Sequence, residues 1–383
     1  MVTKNKVDIW HNILWSKYKG SVFTEASKLA TSSKIDLNFF QISVTDQQRL
    51  GLGEIDLSYH DYPYELIFRR SYESVGKFRL YFELVRRILR SNANLIVLAG
   101  YDRPEYWLQM IFARVRGRRL GVFCDSTSFD HEQKMARGIA KRIFFSQCDL
   151  VFCYGQRARE YVQSFGVKPA RIVQRVQAAA LPRNYSTGDE LANRRKMLLD
   201  VLPPRFLYVG RLSSEKNVNV LMSAFAMIAS KATSPTLALV GTGPEEENLR
   251  NLARSLNILD RIEFRGALTG EPLYDQYRRA SALILPSERE PWGLVVNEAL
   301  SYGVPVIVSQ RCGCVPELVI PGKTGLIVRA GDIPDLTEKM EEILGPYYVS
   351  DTAAKACIDH IATYSPAQAA AQLIDGCVKL LAS

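Results

Sequence analysis

Glu290 and Glu298 lie in a short segment, residues 286–303, that also holds a glycine turn and the start of a helix. Seven residues separate Glu290 from Glu298. The apolar run at 282–285 ends at Pro286, which predicts a buried strand, then a loop, then a helix from about residues 292–294. A helix start carries partial positive charge and binds phosphate, whereas carboxylates accept hydrogen bonds from sugar hydroxyls. The segment therefore predicts a site for a sugar attached to a phosphate.

The predicted helix decides where its glutamate points. At roughly 100° per residue, Trp292, Val295, Val296 and Ala299 form one stripe that faces the core. Glu298 then lies beside this stripe, and the N–H groups of Trp292, Gly293 and Leu294 point towards the ligand. The alternative is a solvated loop charge at Glu290 and a surface residue at Glu298, and the flanking sequence disfavours it.

Further motifs surround the glutamate pair in a fixed order. They are Tyr208-Val209-Gly210-Arg211-Leu212, Glu215-Lys216-Asn217, Val240 to Pro244, Ile262 to Gly266, Arg311 to Glu317, Gly322 to Leu326 and Gly331-Asp332. This order, over about residues 205–335, resembles the retaining glycosyltransferases of the GT-B fold, in particular glycosyltransferase family four. The resemblance implies an α/β protein of two Rossmann-like, doubly wound parallel-sheet domains that face each other across a cleft.

The resemblance also implies roles in the second domain. Arg211 and Lys216 would clamp the diphosphate, Glu290 would hold sugar hydroxyls, and Glu298 would bind the ribose. Gly210 and the loop from Arg265 to Leu268 would border the nucleotide. The donor would be a nucleotide sugar such as a UDP- or GDP-hexose, which is a substrate and not a cofactor. Because the chain contains no Asp-x-Asp motif, we expect the two cations and the helix start to neutralise the diphosphate without a metal.

In the first domain the candidates follow apolar strands. Lys17 to Ser21 predicts a phosphate loop around Gly20 before a helix from about Val22, and an ordinary turn is the alternative. Tyr101, a candidate for donor binding, and Asp125, a candidate catalytic residue, lie in loops that should open on the cleft. The family commonly has a histidine in the second loop; here Asp125 or His131 is available, and Asp125 could instead cap the next helix.

Alternating strands and helices predict the domain organisation. We expect an acceptor-side domain at residues 1–184, a linker at 185–204 and a donor domain at 205–363. A last helix at 364–383, with Ala367, Ala370, Ala371, Leu373 and Ile374 on its apolar face, should cross back to the first domain.

The composition sets wider limits. The chain has 383 residues, which is enough for two cores, and its seven cysteines fit a reducing compartment better than a disulfide framework. Its histidines are scattered singly, which favours a turn over a zinc site at Cys312-Gly313-Cys314. No apolar run approaches 18 residues and no secretion signal is evident, so we expect a cytoplasmic protein.

Charge is distributed unevenly between the two predicted domains. Residues 1–184 hold 29 Lys and Arg against 17 Asp and Glu, a net +12, so the remainder is −3 within the total of +9. In the helix predicted at 77–90, we expect an apolar face of Phe78, Tyr81, Phe82, Val85, Ile88 and Leu89 to pack on the sheet. Arg79, Arg86, Arg87 and Arg90 should then face anionic lipid head groups, with Arg114, Arg116, Arg118 and Arg119 extending the patch.

We therefore expect a retaining, metal-independent hexosyltransferase that acts on a glycan or lipid-linked acceptor in cell-surface polysaccharide or glycolipid synthesis. It would be peripheral on the cytoplasmic membrane face. One alternative is a nucleotide-sugar epimerase of similar fold, which needs no acceptor. A nucleic-acid-binding protein would explain the positive charge, but no basic groove interleaved with aromatic residues is apparent, so we expect no nucleic-acid partner.

Overall fold

The structure is a computed structural model, and it describes residues 4–49, 55–130, 135–199, 203–230 and 234–382. Within these residues the chain divides into two compact units, Met1–Ala180 with Ser365–Ser383, and Leu181–Tyr364. Each unit is built on its own parallel sheet covered by helices. His131 lies outside the described residues.

The first unit contains a seven-stranded parallel sheet among its described residues, in the order β3-β2-β1-β4-β5-β6-β7. Its strands are β1 (Asn5–Ile13), β2 (Ile35–Thr45), β3 (Tyr64–Ser71), β4 (Leu95–Leu98), β5 (Arg119–Cys124), β6 (Leu150–Cys153) and β7 (Ile172–Val173). Its helices are α1 (Lys17–Ser32), α2 (Lys77–Arg90), α3 (Pro104–Val115), α4 (Met135–Ser146), α5 (Gln156–Ser164) and, at the end of the chain, α14 (Pro366–Ala382). β4 and β6 are buried along their whole length, as expected for central strands covered on both faces.

The second unit contains a six-stranded parallel sheet among its described residues, in the order β10-β9-β8-β11-β12-β13. Its strands are β8 (Arg205–Val209), β9 (Thr236–Val240), β10 (Ile262–Gly266), β11 (Ala282–Leu285), β12 (Val306–Ser309) and β13 (Gly325–Val328). Its helices are α6 (Thr187–Leu199), α7 (Val218–Ile228), α8 (Glu246–Ser255), α9 (Glu271–Arg278), α10 (Leu294–Ser301), α11 (Val315–Leu318), α12 (Ile333–Glu342) and α13 (Asp351–Ala362). The strand predicted at 282–285 is present as β11, because its apolar run is bounded by turn residues and followed by a helical segment.

The segment that the sequence assigned to a linker belongs to the second unit. Its helix α6 is anchored at two places. The carboxylate of Glu190 accepts bonds from Arg278 Nε and Nη2, at 2.9 and 2.7 Å. The guanidinium of buried Arg194 donates to the carbonyls of Ala280 and Ser281. These contacts tie residues 187–199 to the second core.

The last helix packs in the first unit, where α14 contacts α1. Its buried face includes Ala369, Ala370, Leu373, Ile374 and Cys377. Ala367, which the sequence placed on this face, is exposed. The helix begins at Pro366, so Ala367 lies in its first turn, before the stripe that meets α1.

Helix α2 is turned differently from the prediction. Leu80, Leu84 and Ile88, spaced four residues apart, form its buried stripe. Phe78 is 86% exposed and Phe82 is 60% exposed, with their rings stacked on each other. The predicted packing of these two phenylalanines on the sheet is therefore wrong. The apolar residues of α2 cover two adjacent arcs of the helix surface, and the buried arc is the one centred on Leu84.

None of the helices in the described ranges is long and apolar enough to cross a membrane. The seven cysteines are all buried thiols.

Candidate active site

Two loops of the second unit are bound to each other at the carboxyl ends of β8 and β11. The backbone N–H groups of Glu288 and Arg289 both donate to the carbonyl of Glu215, at 2.9 and 3.4 Å. Asn217 Nδ2 donates to the carbonyl of Pro286 at 3.4 Å. Because β8 and β11 are paired parallel strands, these bonds bring the two motifs together at one edge of the sheet.

Lys216 and Glu290 form an ion pair across these loops. Lys216 Nζ lies 2.8 Å from Glu290 Oε2 and 3.5 Å from the carbonyl of Arg289. Both side chains are mostly buried, 14% and 18% exposed. The sequence predicted both residues in the site, but not their direct pairing.

Arg211 is exposed at the same edge, and its carbonyl accepts a bond of 2.8 Å from the hydroxyl of Tyr208. Burial alone would raise the pKa of Glu215. Hydrogen bonds from the Ser213 hydroxyl and from the backbone N–H of Glu215 lower this pKa, and so do the charges of Lys216 and Arg211. Burial raises the pKa of Tyr208, and Glu290 and Glu215 raise it further, while Arg211 opposes them. Arg211 and Lys216 therefore both lower the pKa of the Glu215 carboxyl.

The backbone beside Glu290 is fixed to the loop after β12. Gly313 N donates to the Glu290 carbonyl at 2.8 Å, and Cys314 N donates to the Trp292 carbonyl at 3.1 Å. A Cβ added at Gly313 would lie 1.7 Å from the carbonyl oxygen of Pro291, so only glycine allows this approach. Cys312 and Cys314 thus belong to a close-packed turn, which is the interpretation that the sequence favoured over a zinc site.

Helix α10 begins where the sequence predicted, directly after this anchored backbone. Gly293 precedes it with a left-handed φ of 99°, and Leu294 is its first residue. Trp292 is buried, and its Nε1 donates to Asn297 Oδ1 at 2.8 Å. The buried positions of the helix include Val296, Asn297, Ala299 and Leu300. Val295, predicted on the core stripe, is only half-buried, since the stripe is centred on Val296 and Leu300.

A buried tyrosine of α9 forms a hydrogen bond with Glu298. The Tyr277 hydroxyl donates to Glu298 Oε2. Burial raises the pKa of Tyr277, and the adjacent Glu298 carboxylate raises it further, so this hydroxyl keeps its proton. Tyr277 also stacks on Tyr302, with ring centroids 5.6 Å apart and planes 3° from parallel. No sequence pattern indicates the contact of Tyr277 with Glu298, because the two residues lie 21 positions apart.

The remaining donor-side candidates lie along β8, β9 and β10. Gly210 N donates to the Val240 carbonyl at 2.9 Å, which ties the ends of β8 and β9 together. Arg265 is paired with Glu263 and belongs to β10, which continues through Gly266. The prediction that Arg265 starts the loop is therefore wrong. Leu268 lies in the loop and is half-buried.

A separate cavity of about 630 Å³ lies in the first unit, at the carboxyl ends of β1, β4 and β5. Tyr101 and Asp125 both line it. Tyr101 is buried, and its ring packs against Phe145 with centroids 4.7 Å apart. Asp125 is exposed. Residues 131–134, before the described start of the next helix at Met135, lie outside the described residues, and the capping role of Asp125 stays a prediction.

Lys19 also lines this cavity, and sequence reasoning missed it. The residue is only 2% exposed, and among the described residues its Nζ has no hydrogen-bond partner. The Nζ lies 4.2 Å from the ring centroid of Phe123 and 4.6 Å from that of Tyr154. Burial lowers the pKa of Lys19 to about 7, and Asp125 opposes this by raising it.

Gly20 does not lie in a loop. Helix α1 begins at Lys17, so Gly20 is inside its first turn, where its N–H donates to the Ser16 carbonyl at 3.0 Å. A Cβ on Gly20 would lie 2.8 Å from both the Tyr59 carbonyl oxygen and His60 Cε1. The glycine therefore lets the segment at 59–60 approach the helix, and the predicted phosphate loop at 17–21 is wrong.

In the part of the chain that the structure describes, no group of three or more His, Cys, Asp and Glu side chains could hold a metal ion.

Solved structures of similar fold cover nearly the whole chain. Sucrose-phosphate synthase from Thermosynechococcus elongatus has a TM-score of 0.72 and 21% identity, and 99% of this chain and 100% of that chain are covered. An Anabaena protein, HepE, in complex with UDP and glucose has a TM-score of 0.70 and 17% identity, covering 97% and 98%. A putative UDP-N-acetylglucosamine 2-epimerase from Listeria monocytogenes has a TM-score of 0.63 and 16% identity, covering 98% and 96%. The expected GT-B fold, an α/β architecture of two parallel sheets, is confirmed.

Curated relatives match over parts of the chain. Sulfoquinovosyl transferase of Arabidopsis thaliana is 32% identical over 164 residues, which are 42% of this chain and 30% of that protein. D-inositol 3-phosphate glycosyltransferase of Corynebacterium aurimucosum is 28% identical over 254 residues, 64% of this chain and 60% of that protein. The chain thus spans about one third to three fifths of the length of these two relatives. Residues 189–348, which hold the ion pair, α10 and Tyr277, match the family model of the glycosyl transferases group 1.

Proposed function

We propose that this chain is a retaining glycosyltransferase that moves a hexose from a nucleoside diphosphate to a glycan or lipid-linked acceptor. The observation that carries the proposal is the joining of Arg211, Lys216, Glu290 and the start of α10 at one edge of the second sheet. Two cations beside an anchored helix start suit a diphosphate, and carboxylates suit sugar hydroxyls. The match of residues 189–348 to group 1 glycosyl transferases supports the same function.

In this proposal Arg211 and Lys216 bind the diphosphate, together with the N–H groups of Trp292, Gly293 and Leu294. Negative charge grows on the diphosphate as it leaves, and fixed cations stabilise that charge most in the transition state. Glu290 positions Lys216 through the 2.8 Å contact and offers its carboxylate to the sugar. Gly210, Arg265 and Leu268 would border the nucleotide.

Glu298 would bind the ribose. A ribose diol presents two hydroxyl donors to a carboxylate, and Tyr277 fixes the orientation of that carboxylate by donating to Oε2. Because the tyrosine is buried and stacked on Tyr302, its hydroxyl position is rigid. The Glu298 carboxylate is thus oriented before the ligand binds.

Retention needs no covalent nucleophile in this scheme. The bond from the anomeric carbon to the phosphate oxygen breaks, and the acceptor oxygen attacks from the same face. The departing phosphate oxygen takes the acceptor proton, so atoms and charge balance without another base. Protein cations would neutralise the diphosphate, and we propose that the reaction is independent of metal.

The donor would be a UDP- or GDP-hexose. Similarity to HepE, solved with UDP and glucose, favours testing UDP-glucose first. A thermal-shift panel of nucleotide sugars tests this, because a ligand at 100 times its Kd stabilises by about 2.7 kcal/mol. A panel without any stabilising nucleotide sugar would contradict the donor site.

We further propose that the protein works on the cytoplasmic face of a membrane, where a lipid-linked acceptor would be presented. The exposed pair Phe78 and Phe82 supports this, because the arginines at 79, 86 and 90 follow on the adjacent arc of α2. Apolar rings beside cations fit an anionic bilayer surface. Sedimentation with anionic vesicles, but not with neutral vesicles, is the expected result, and equal sedimentation with both would contradict it.

A second candidate is a nucleotide-sugar epimerase. It is favoured by the similarity to the Listeria epimerase over 98% of this chain. Incubation with donor alone separates the two candidates. An epimerase converts one nucleotide sugar into another, whereas a transferase releases the nucleoside diphosphate.

A further inference from the structure

The cavity of the first unit contains a positive charge that the described protein does not satisfy. Its lining includes the cations Lys19, Arg49, Arg103, Arg137 and Lys141, against the acids Asp46, Asp102 and Asp125. A cavity of about 630 Å³ lies within the usual range for small-molecule sites, roughly 300–1,000 Å³. The excess of cations indicates a ligand of negative charge.

Three of these cations are engaged by protein groups. Arg49 pairs with the carboxylate of Asp46. Arg103 lies 4.3 Å from the ring centroid of Tyr72. Lys141 Nζ donates to the Tyr161 hydroxyl. These contacts leave their charges compensated or spread over polar and aromatic neighbours.

Lys19 is different. It is 2% exposed, and within the described part of the chain no oxygen accepts a hydrogen bond from its Nζ. The faces of Phe123 and Tyr154 attract a cation but accept no strong hydrogen bond. Asp125 on the same cavity wall favours the charged lysine electrostatically. A buried ammonium without a hydrogen-bonding anion is unfavourable in the empty protein.

We propose that Lys19 is the counter-ion for an anionic oxygen group, a phosphate or a carboxylate, on a small ligand that fills this cavity. An oxyanion on the cavity side of Nζ would supply the missing acceptors, and it would be enclosed by rings that exclude water. The ligand restores the hydrogen bonds that folding removes from the lysine.

That ligand is the acceptor sugar, or the group nearest its linkage. This step rests on the proposed function, in which the second unit carries the nucleotide through Lys216 and Glu298. The cavity is lined by residues of the first unit, whereas the proposed donor site is built from residues of the second unit, and we therefore assign the anion to the acceptor. The structure thus points to an anionic acceptor in preference to a neutral one.

The test uses the full chain and three probes that share a hexose ring: glucose 6-phosphate, glucuronate and glucose. Binding is measured by calorimetry to the wild type, Lys19→Met and Lys28→Met. Lys28 is the matched control, since it lies exposed on the same helix and loses the same charge. UDP and GDP are titrated in parallel.

We expect at least one anionic sugar to bind the wild type and Lys28→Met equally, with affinity at least tenfold weaker in Lys19→Met. Glucose, which has no anionic group, should bind the wild type, Lys19→Met and Lys28→Met with the same affinity. For glucuronate, binding should weaken from about pH 7 to 9 as Lys19 loses its proton. His11, Tyr18, Tyr154 and Asp125 also surround the lysine; burial, with Lys19, lowers the pKa of His11 to about 3, so it stays neutral there.

Equal binding of the anions to Lys19→Met and the wild type would overturn the proposal, and so would tight binding of glucose alone. A tenfold loss of UDP or GDP affinity in Lys19→Met would assign the lysine to the donor and overturn the acceptor assignment. If the anionic sugars bind through Lys19 but no nucleotide binds, the proposed transferase function fails while the anion site stands.

Discussion

Replacing Lys19 with methionine should stabilise the empty protein, and the gain should depend on pH. Methionine keeps the length and the apolar contacts of the side chain but carries no charge. The folded pKa of Lys19 is about 7, against 10.5 as its ordinary value. The unfolded chain therefore binds more protons than the folded chain between these two values.

The sign follows from this difference. Above about pH 10.5 the lysine is neutral in both the folded and the unfolded chain, so its burial costs no stability through charge. As pH falls towards 7, the unfolded chain gains the proton first and the folded protein loses stability. The fall from 10.5 to about 7 lowers the free energy of unfolding by about 5 kcal/mol below pH 6, about 4 kcal/mol at pH 7 and about 1.5 kcal/mol at pH 9.5. Attraction to the Phe123 and Tyr154 rings offsets about 0.5–2 kcal/mol of this.

Lys19→Met should therefore raise the free energy of unfolding by about 2–4 kcal/mol at pH 7, and by less than about 1.5 kcal/mol at pH 9.5. Urea denaturation at both pH values measures the difference through the midpoint of the transition that involves the first unit. The control Lys28→Met should stay within about 0.5 kcal/mol of the wild type at both. Destabilisation by Lys19→Met at pH 7, or a gain that is the same at both pH values, would refute the account of a buried ammonium without an acceptor.

The other predictions concern the second unit and α2. Tyr277→Phe should weaken nucleoside diphosphate binding about tenfold in calorimetry, because Glu298 loses a charged hydrogen bond worth about 1.5–3 kcal/mol; unchanged affinity would exclude the orienting role. Glu290→Gln should keep nucleotide affinity within about threefold and lower turnover by about 10²-fold or more, and an equal loss of both would contradict the division of roles with Glu298. Transfer should persist in EDTA; abolition with rescue by manganese or magnesium would show that a metal neutralises the diphosphate. The double change of Phe78 and Phe82 to serine should release the protein from anionic vesicles, whereas Met227→Ser, at another exposed apolar residue, should not; retention of the double variant would exclude α2 as the contact.

The fold and the edge of the second sheet where Arg211, Lys216 and Glu290 lie could be predicted from sequence because their signals are local. Each strand is a short apolar run between turn residues, and the carboxyl ends of parallel strands lie at one edge. The motifs around Arg211, Lys216 and Glu290 follow such strands, so strand order alone brings them near each other. The start of α10 was predictable for the same reason, since Gly293 interrupts the chain just before the apolar helix.

Long-range contacts explain what the sequence did not predict. Tyr277 meets Glu298 only through the packing of α9 on the sheet, and its own helix carries no sign of this contact. Lysine is almost always exposed, so composition gives no warning that Lys19 is buried. In α2 the apolar residues cover adjacent arcs, and the periodicity could not select Leu80, Leu84 and Ile88 over Phe78 and Phe82. Gly20 resembled a loop glycine, but it lies in helix α1, where the absence of a side chain allows residues 59–60 to pack closely against the helix.

The configuration of the first sugar released from a nucleotide donor tests the central claim most directly. Even without an acceptor, water can replace the acceptor slowly, and proton NMR distinguishes the anomers of glucose before they equilibrate. With UDP-α-glucose or another nucleotide sugar selected by thermal shift, the account predicts release of the nucleoside diphosphate with the α-anomer formed first. It also predicts loss of this release in Glu290→Gln. First formation of the β-anomer, or conversion of the donor into a second nucleotide sugar without release, would contradict a retaining transferase.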